Sequence, residues 1–280
     1  MTIQDVLFFD TETTGIPARD AKWDVDFMEY PHIVQIAWIF GETAESHLIR
    51  PDGWEIPEEA VAVHGITTEY AIEHGEPFVA VIDRFISFAI AAPLLCGHNI
   101  HFDTGIVKAN ILRELGQEYF QANDVETALY KGKRIDTMRP AMKWVDARNS
   151  FGRLKFPNLG ELYDHCFPGE TFPAHDAMAD TEAVKRCLPV LVENGIVALE
   201  VKTYPEEQAG TPKTDAKADA IASEAAKKFG QPTEKAENAP NFASNEKDDK
   251  LPVQQEKGPQ NENSAKITAD VAELLEQNDF

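Results

Sequence analysis

A chain of 280 residues exceeds one typical domain and falls short of two, which favours one globular core with an appendage. Its 26 Lys+Arg against 48 Asp+Glu give a formal net charge of −22, so a polyanionic partner is repelled at long range and must be met through bound cations, local basic residues or another protein. No stretch approaches the roughly 20 apolar residues of a membrane span, which excludes a bilayer-crossing helix.

The N-terminus lacks the basic region and apolar core of a secretory signal, because Met1 to Asp5 runs directly into a short apolar segment. Cys96, Cys166 and Cys187 stand in apolar settings without CxxC or zinc-like spacing, as reduced core thiols do. A cytoplasmic location is expected. Val6 to Phe9 is an apolar run of strand length, stopped by Asp10 and the turn-like segment Thr13-Thr14-Gly15-Ile16-Pro17. Residues 18–31 have no clear period. His32 to Phe40 (HIVQIAWIF) then reads as a β-branched strand ending at Gly41, and His47 to Ile49 as a third, close enough for antiparallel pairing.

From Pro77 the period becomes helical, with Phe78, Val81, Ile82, Phe85, Ile86 and Ala89 on one face and Ala92-Pro93 as the stop. Leu94 to Cys96 forms a short buried strand, Asp103 to Leu115 a second amphipathic helix ending at Gly116, and Arg134 to Met138 a strand. Asn158 to Phe167 and Asp176 to Glu193 are further helices, the last stopped by Asn194-Gly195. This order predicts an α/β fold with a mixed five-stranded sheet flanked by helices. Residues 1–203 form that domain. Beyond it, residues 205–280 carry 9 Lys+Arg and 16 Asp+Glu with few aromatics, so a core cannot form there. Removing that net −7 from −22 leaves −15 on residues 1–204. We expect residues 204–266 to be a disordered acidic tail and residues 267–280 to hold a short terminal helix, with Ile267, Val271, Leu274 and Leu275 at helical spacing; that helix either frays alone or binds a partner.

Three segments carry chemistry. Asp10-Thr11-Glu12 ends a buried strand, and alternate positions project to one face, so both carboxylates can share a cation. Gly97 to Asp103 (GHNIHFD) links a strand to a helix and puts Asp103 near a helix N-terminus, where a carboxylate is either a cap or a ligand. In His175 to Asp180 (HDAMAD), positions five apart diverge by roughly 140° on a regular helix. Both can face one site if His175 lies on the loop and Asp176 is the N-cap. Carboxylates from separate segments crowd together only with compensation, since like charges raise one another's pKa values. Two divalent cations about 3.5–4 Å apart would supply it while clamping the attacking and leaving oxygens of a phosphoryl displacement. Oxygen ligands without nearby cysteine favour Mg²⁺ or Mn²⁺ over zinc. Two basic knots, Lys131/Lys133/Arg134 and Arg148/Arg153/Lys155, are either solvated loop charges or phosphate contacts.

In this order, DTETTG at Asp10 to Gly15, HNIHFD at His98 to Asp103 and HDAMAD at His175 to Asp180 resemble the motifs of the DEDDh 3′-to-5′ exonucleases. That family includes the epsilon proofreading subunit of bacterial DNA polymerase III, ribonuclease T and oligoribonuclease. Val63-His64-Gly65-Ile66-Thr67 is similar to a segment common between its first two motifs, and the resemblance covers residue 6 to about 195. It implies a ribonuclease H-like fold, with Asp10, Glu12, Asp103 and Asp180 holding two metal ions. His175 would deprotonate water, a role suited to imidazole because it titrates near neutrality. The product would be a nucleoside 5′-monophosphate. By the same resemblance Thr13, Thr14, Gly15 and His64 would hold the 3′-terminal nucleotide, and Phe102 would either stack on a base or pack in the core. The implied substrate is single-stranded DNA in proofreading or end-trimming, with RNA trimming as the rival. A third reading is a polymerase-associated subunit whose tail recruits a replication partner. Homodimerisation, as in ribonuclease T, is compatible with all three. The segment 16–31 looks like an insertion relative to compact proofreading subunits; its Trp23, Phe27, Met28 and Tyr30 either cover the site or pack locally.

Overall fold

The computed structural model describes residues 1–202, and the expected acidic tail 204–266 and terminal helix 267–280 lie outside the described residues. Five strands, β1 (Val6–Thr13), β2 (Ile33–Phe40), β3 (Thr43–Leu48), β4 (Leu94–Gly97) and β5 (Arg134–Asp136), form one sheet in the order β3-β2-β1-β4-β5. β1 and β3 run antiparallel to β2, whereas β4 is parallel to both β1 and β5. The helices are α1 (Glu58–His64), α2 (Thr68–His74), α3 (Phe78–Ala91), α4 (Ile100–Ala122), α5 (Val125–Ala128), α6 (Met138–Val145), α7 (Leu159–Cys166) and α8 (Ala177–Glu193).

Alternation along β1 sorts its side chains between two cores. Leu7 and Phe9 pack with Ile36 and Trp38 of β2 against Val81 and Phe85 of α3 and Ile106 and Val107 of α4. Val6 and Phe8 face the other way, with Ile39 and Cys96, onto Val184 and Leu188 of α8. Each fully buried side chain of this size contributes roughly 1.5–3 kcal/mol, so β1, covered on both faces, anchors the domain. Among the described residues no helix is long and apolar enough to cross a membrane.

Several boundaries differ from the sequence reading. β1 continues through Asp10 to Thr13, because antiparallel pairing with β2 extends beyond the apolar run. α4 begins at Ile100 instead of Asp103 and continues past Gly116, whose φ of 78° breaks the helix without ending it. β5 stops at Asp136, since the Asp136 carboxylate accepts the Met138 N–H and turns the chain into α6. α1, α2, α5 and α6 are short and bury one or two side chains each; none was expected. Residues 123–134 hold α5 and a 3₁₀ turn at Lys131–Lys133.

α2 closes at Gly75, where any side chain would collide: a Cβ there would lie 2.3 Å from the Ala71 carbonyl and 2.6 Å from the Arg50 amide. The 16–31 segment packs locally. Trp23 stacks on Phe120 at 5.8 Å and lies under the Lys108 ammonium at 4.7 Å, while the Tyr30 hydroxyl donates to Ala21 O at 3.1 Å. Met28 is exposed. Cys96 and Cys187 are buried and Cys166 partly so, all as free thiols.

Candidate active site

The last β1 residue paired with β4 is Phe8, opposite Cys96, so the rest of β1 has a neighbour on the β2 side alone. The orphaned Thr11 N–H donates to Asp103 Oδ1 at 3.2 Å, and the Thr11 hydroxyl donates to the same oxygen at 2.7 Å. Asp103, in the first turn of α4, is thereby held at 2% exposure. The capping alternative for it falls away, because Asn99 occupies the N-cap position with φ 61°.

Asp10 and Glu12 share the face of β1 that meets α8. Glu12 lies opposite Gln35 in the β1–β2 register, and the Gln35 amide fastens the start of α8 beside it. Gln35 Oε1 accepts the Ala177 N–H at 3.2 Å, and its Nε2 donates to Asp176 Oδ2 at 3.2 Å and to Ser46 Oγ at 3.1 Å. Asp176 is the expected N-cap, its Oδ1 accepting from Met178 N at 3.1 Å and Ala179 N at 3.0 Å. His175 precedes the helix with φ 68°, and its N–H donates to Asp180 Oδ2 at 3.4 Å. This left-handed turn answers the angular problem of a five-residue spacing. Glu12, His175 and Asp180 each offer a ligand atom within 4.8 Å of the others. Asp10 and Asp103 are outside that trio, but Asp103 raises the Glu12 carboxyl, and Glu12 and Asp180 raise that of Asp10.

Burial raises the Glu12 carboxyl from 4.5 to about 7, with Asp180, Asp103 and Asp176 adding to the shift. Burial likewise takes Asp103 to about 7 against the opposing Thr11 hydrogen bonds, and Asp180 to about 6 against the His175 N–H. Asp10, half-buried, is pushed well above the usual carboxylate range, first by desolvation and then by Asp103, Asp180, Glu12 and Asp176. Every charged neighbour acting on Asp10 and Glu12 is another carboxylate. Asp180 Oδ1 is buried without a hydrogen-bond partner among the described residues. Mutually repelling hard oxygens and one unsatisfied buried lone-pair site fit a divalent cation.

The remaining candidates surround this cluster unequally. The Thr13 hydroxyl donates to Gly15 O at 2.6 Å, and Thr14 exchanges hydrogen bonds with the His32 backbone, so the loop after β1 is fixed to the start of β2. In the segment Val63 to Thr67, Gly65 ends α1 with φ 74° and Thr67 caps α2. That junction holds His64 between the Thr13 main chain and His175, both of which influence its titration; burial is the larger effect and lowers it. His64 Nδ1 accepts the Ile66 N–H at 3.1 Å, while its buried Nε2 has no partner among the described residues. Phe102 is half-buried against the α3–α4 core. A cavity of about 370 Å³ lies elsewhere, lined by His32, Arg50, Trp54 and Asn110, and takes in none of the five acid and histidine candidates.

Sequence reasoning missed Gln35, Thr11 and Asp136. The signal for Gln35 was a lone amide within the apolar run HIVQIAWIF. Asp136 Oδ1 accepts the Asn99 N–H at 3.1 Å and so ties the end of β5 to the turn before α4. Nothing local marked the role of Asp136, because it depends on a contact with the distant Asn99.

The family model described as Exonuclease matches residues 7–188. Among solved structures the chain is similar to exonuclease I of Methylocaldum szegediense, with TM-score 0.51 and 21% identity, over 67% of this chain and 40% of that one. For E. coli exonuclease I in complex with a dT13 oligonucleotide the TM-score is 0.49 at 22% identity, over 66% and 40%. The chain thus spans about two fifths of these solved structures. No curated protein matches it. The mixed sheet between helices agrees with the ribonuclease H-like fold expected, and by its match over residues 7–188 this chain belongs to the Exonuclease family.

Proposed function

We propose that the protein is a metal-dependent 3′-to-5′ exonuclease that removes nucleoside 5′-monophosphates from the 3′ ends of single-stranded DNA, in proofreading or end-trimming. The observation that carries this reading is the approach of Glu12, His175 and Asp180 to within 4.8 Å, in a cluster whose charged neighbours are all acidic. Asp10, Glu12, Asp103 and Asp180 would hold two divalent cations, Mg²⁺ or Mn²⁺, which when bound neutralise the developing charge on the phosphoryl oxygens and lower the pKa of water.

The chain's own groups do the rest. His175, exposed at the rim of the cluster, accepts the proton from the attacking water. The water oxygen bonds to phosphorus as the bond from phosphorus to the 3′ oxygen of the preceding nucleotide breaks, and that oxygen takes a proton from solvent to become the new 3′ hydroxyl. Thr13, Thr14 and Gly15, fixed by β2, and His64, held by α1, would orient the terminal nucleotide, with Phe102 at the edge of that contact.

Purified protein incubated with 5′-labelled single-stranded DNA and RNA of matched sequence should shorten the DNA stepwise from its 3′ end only when Mg²⁺ or Mn²⁺ is added, releasing mononucleotides. Internal cuts, or no shortening of either polymer, would refute exonuclease action. A large preference for RNA would overturn the DNA assignment alone.

A further inference from the structure

Between α6 and α7 the chain forms a hairpin-like turn closed by the antiparallel bridge Arg148↔Leu154. The turn is held rigidly: Asn149 Oδ1 accepts the N–H groups of Phe151 and Arg153, both at 3.0 Å, and the Asn149 N–H donates to Arg153 O at 2.9 Å. Gly152 turns the tip with φ 72°. This frame presents Phe151 at 79% exposure, the most exposed large apolar side chain among the described residues.

The surrounding charge runs against that of the whole molecule. Residues 147–156 contain Arg148, Arg153 and Lys155 and no acid. Arg148 is occupied, pairing with Asp146 at 2.6 Å and donating to Gly152 O at 3.1 Å, and Lys155 pairs with Glu161 at 3.1 Å. Arg153 is exposed, and among the described residues its guanidinium has no carboxylate partner. An aromatic face and an unpaired guanidinium two residues apart match a base and a phosphate of a single strand.

The base of the turn is fixed at the acidic end of the sheet. The Pro157 carbonyl hydrogen-bonds His98 Nε2 at 2.9 Å, immediately before α4 and Asp103. The Phe156 ring lies 5.3 Å from the Arg139 guanidinium, whose Nε is 3.7 Å from Asp136 Oδ2. Even fully extended, the six residues from Pro157 to Phe151 reach no more than roughly 20 Å. We propose that the 147–156 turn is a second contact for a single-stranded polynucleotide, with Phe151 stacked on a base and Arg153 on a phosphate a few nucleotides before the 3′ end. This rests on the exonuclease reading for the polarity of the bound strand.

The test is fluorescence anisotropy of the full chain with labelled single-stranded DNA, and in parallel RNA, in EDTA so that no turnover occurs. Phe151→Ala should weaken binding about tenfold, and Phe151→Trp should restore it. Arg153→Ser should weaken binding and reduce the slope of log affinity against log salt by about one. Binding of DNA alone, or of RNA alone, that follows this pattern supports the contact and identifies its source. The contact is overturned by absence of binding, by changes under about twofold in both variants, by an unaltered salt slope in Arg153→Ser, or by Phe151-dependent self-association in sedimentation. If binding follows the pattern while the unaltered protein hydrolyses nothing in Mg²⁺ or Mn²⁺, the exonuclease reading fails and the contact stands; normal hydrolysis with indifferent binding sinks the contact alone.

Discussion

Replacing Glu12 by Gln should stabilise the cation-free protein while abolishing hydrolysis. The Glu12 carboxyl is raised from 4.5 to about 7 by burial and by Asp180, Asp103 and Asp176. Between those values the folded form binds more protons than the unfolded chain, so stability falls as pH rises through the window; above it the loss is complete. The shift corresponds to about 3 kcal/mol as an upper bound, and sharing of charge within the cluster reduces it to about 1–3 kcal/mol. Gln keeps the shape and the polar atoms but discards the charge. In a domain of roughly 200 residues the variant's Tm in EDTA at about pH 8 should therefore exceed the parent's by roughly 2–10 °C. The gain should disappear below about pH 4.5, where Glu12 is largely protonated in both states. Mn²⁺ should then raise the parent's Tm more than the variant's, because the variant has lost a ligand. A Glu12→Gln variant less stable than the parent in EDTA, or equally displaced at both pH values, would refute the reasoning.

Asp10→Ala should end turnover while leaving the cation-free protein folded and no less stable than the parent, since relief of a repelled buried charge offsets the packing lost on truncation; near-normal hydrolysis in Mg²⁺ would contradict its role. His175→Ala should slow turnover by about 10²- to 10⁴-fold. Because His175 also belongs to the cation-capable trio, Mn²⁺ titration separates its roles: unchanged affinity identifies a base, and weakened affinity a ligand. Gln35→Ala removes two hydrogen bonds at the start of α8 and a third to Ser46 of β3, and leaves the buried Ala177 N–H without its acceptor, so urea unfolding should register a loss of about 1–3 kcal/mol together with slower turnover. Unaltered stability would remove Gln35 from its clamping role. Gly75→Ala, forcing a Cβ to 2.3 Å from the Ala71 carbonyl, should cost about 1–3 kcal/mol by the same assay, with turnover little affected in the surviving folded fraction.

What could be read beforehand divides along a physical line. β1, β2, α3 and α8 were legible because their apolar residues repeat at the period of the element they form, and each repeat faces a core. The acidic segments were legible as candidates because carboxylates at the rim of an apolar run require a compensating partner. The short helices α1, α2, α5 and α6 bury few side chains each, so their signal was too small to separate from loop. β1 was read as ending at Asp10 because a charge normally ends a buried strand, yet its pairing with β2 continues and the far side is served by Asp103. Asp136 was invisible for another reason, and Gln35 was marked only as a lone amide in an apolar run: their partners stand 37 and 141 residues away in the chain, and a hydrogen bond across such an interval leaves no local pattern that names the partner.

The unequal lengths of β1 and β4 have a further consequence. Beyond Cys96 the sheet has a notch one strand wide, and a ladder donor left open in such a notch usually invites another strand. Here a single carboxylate plugs it. Lengthening β4 by two residues would offer Thr11 a main-chain acceptor, evict Asp103 and fill the mouth of the acidic cluster, so the shortness of that strand reads as a requirement of the chemistry it borders.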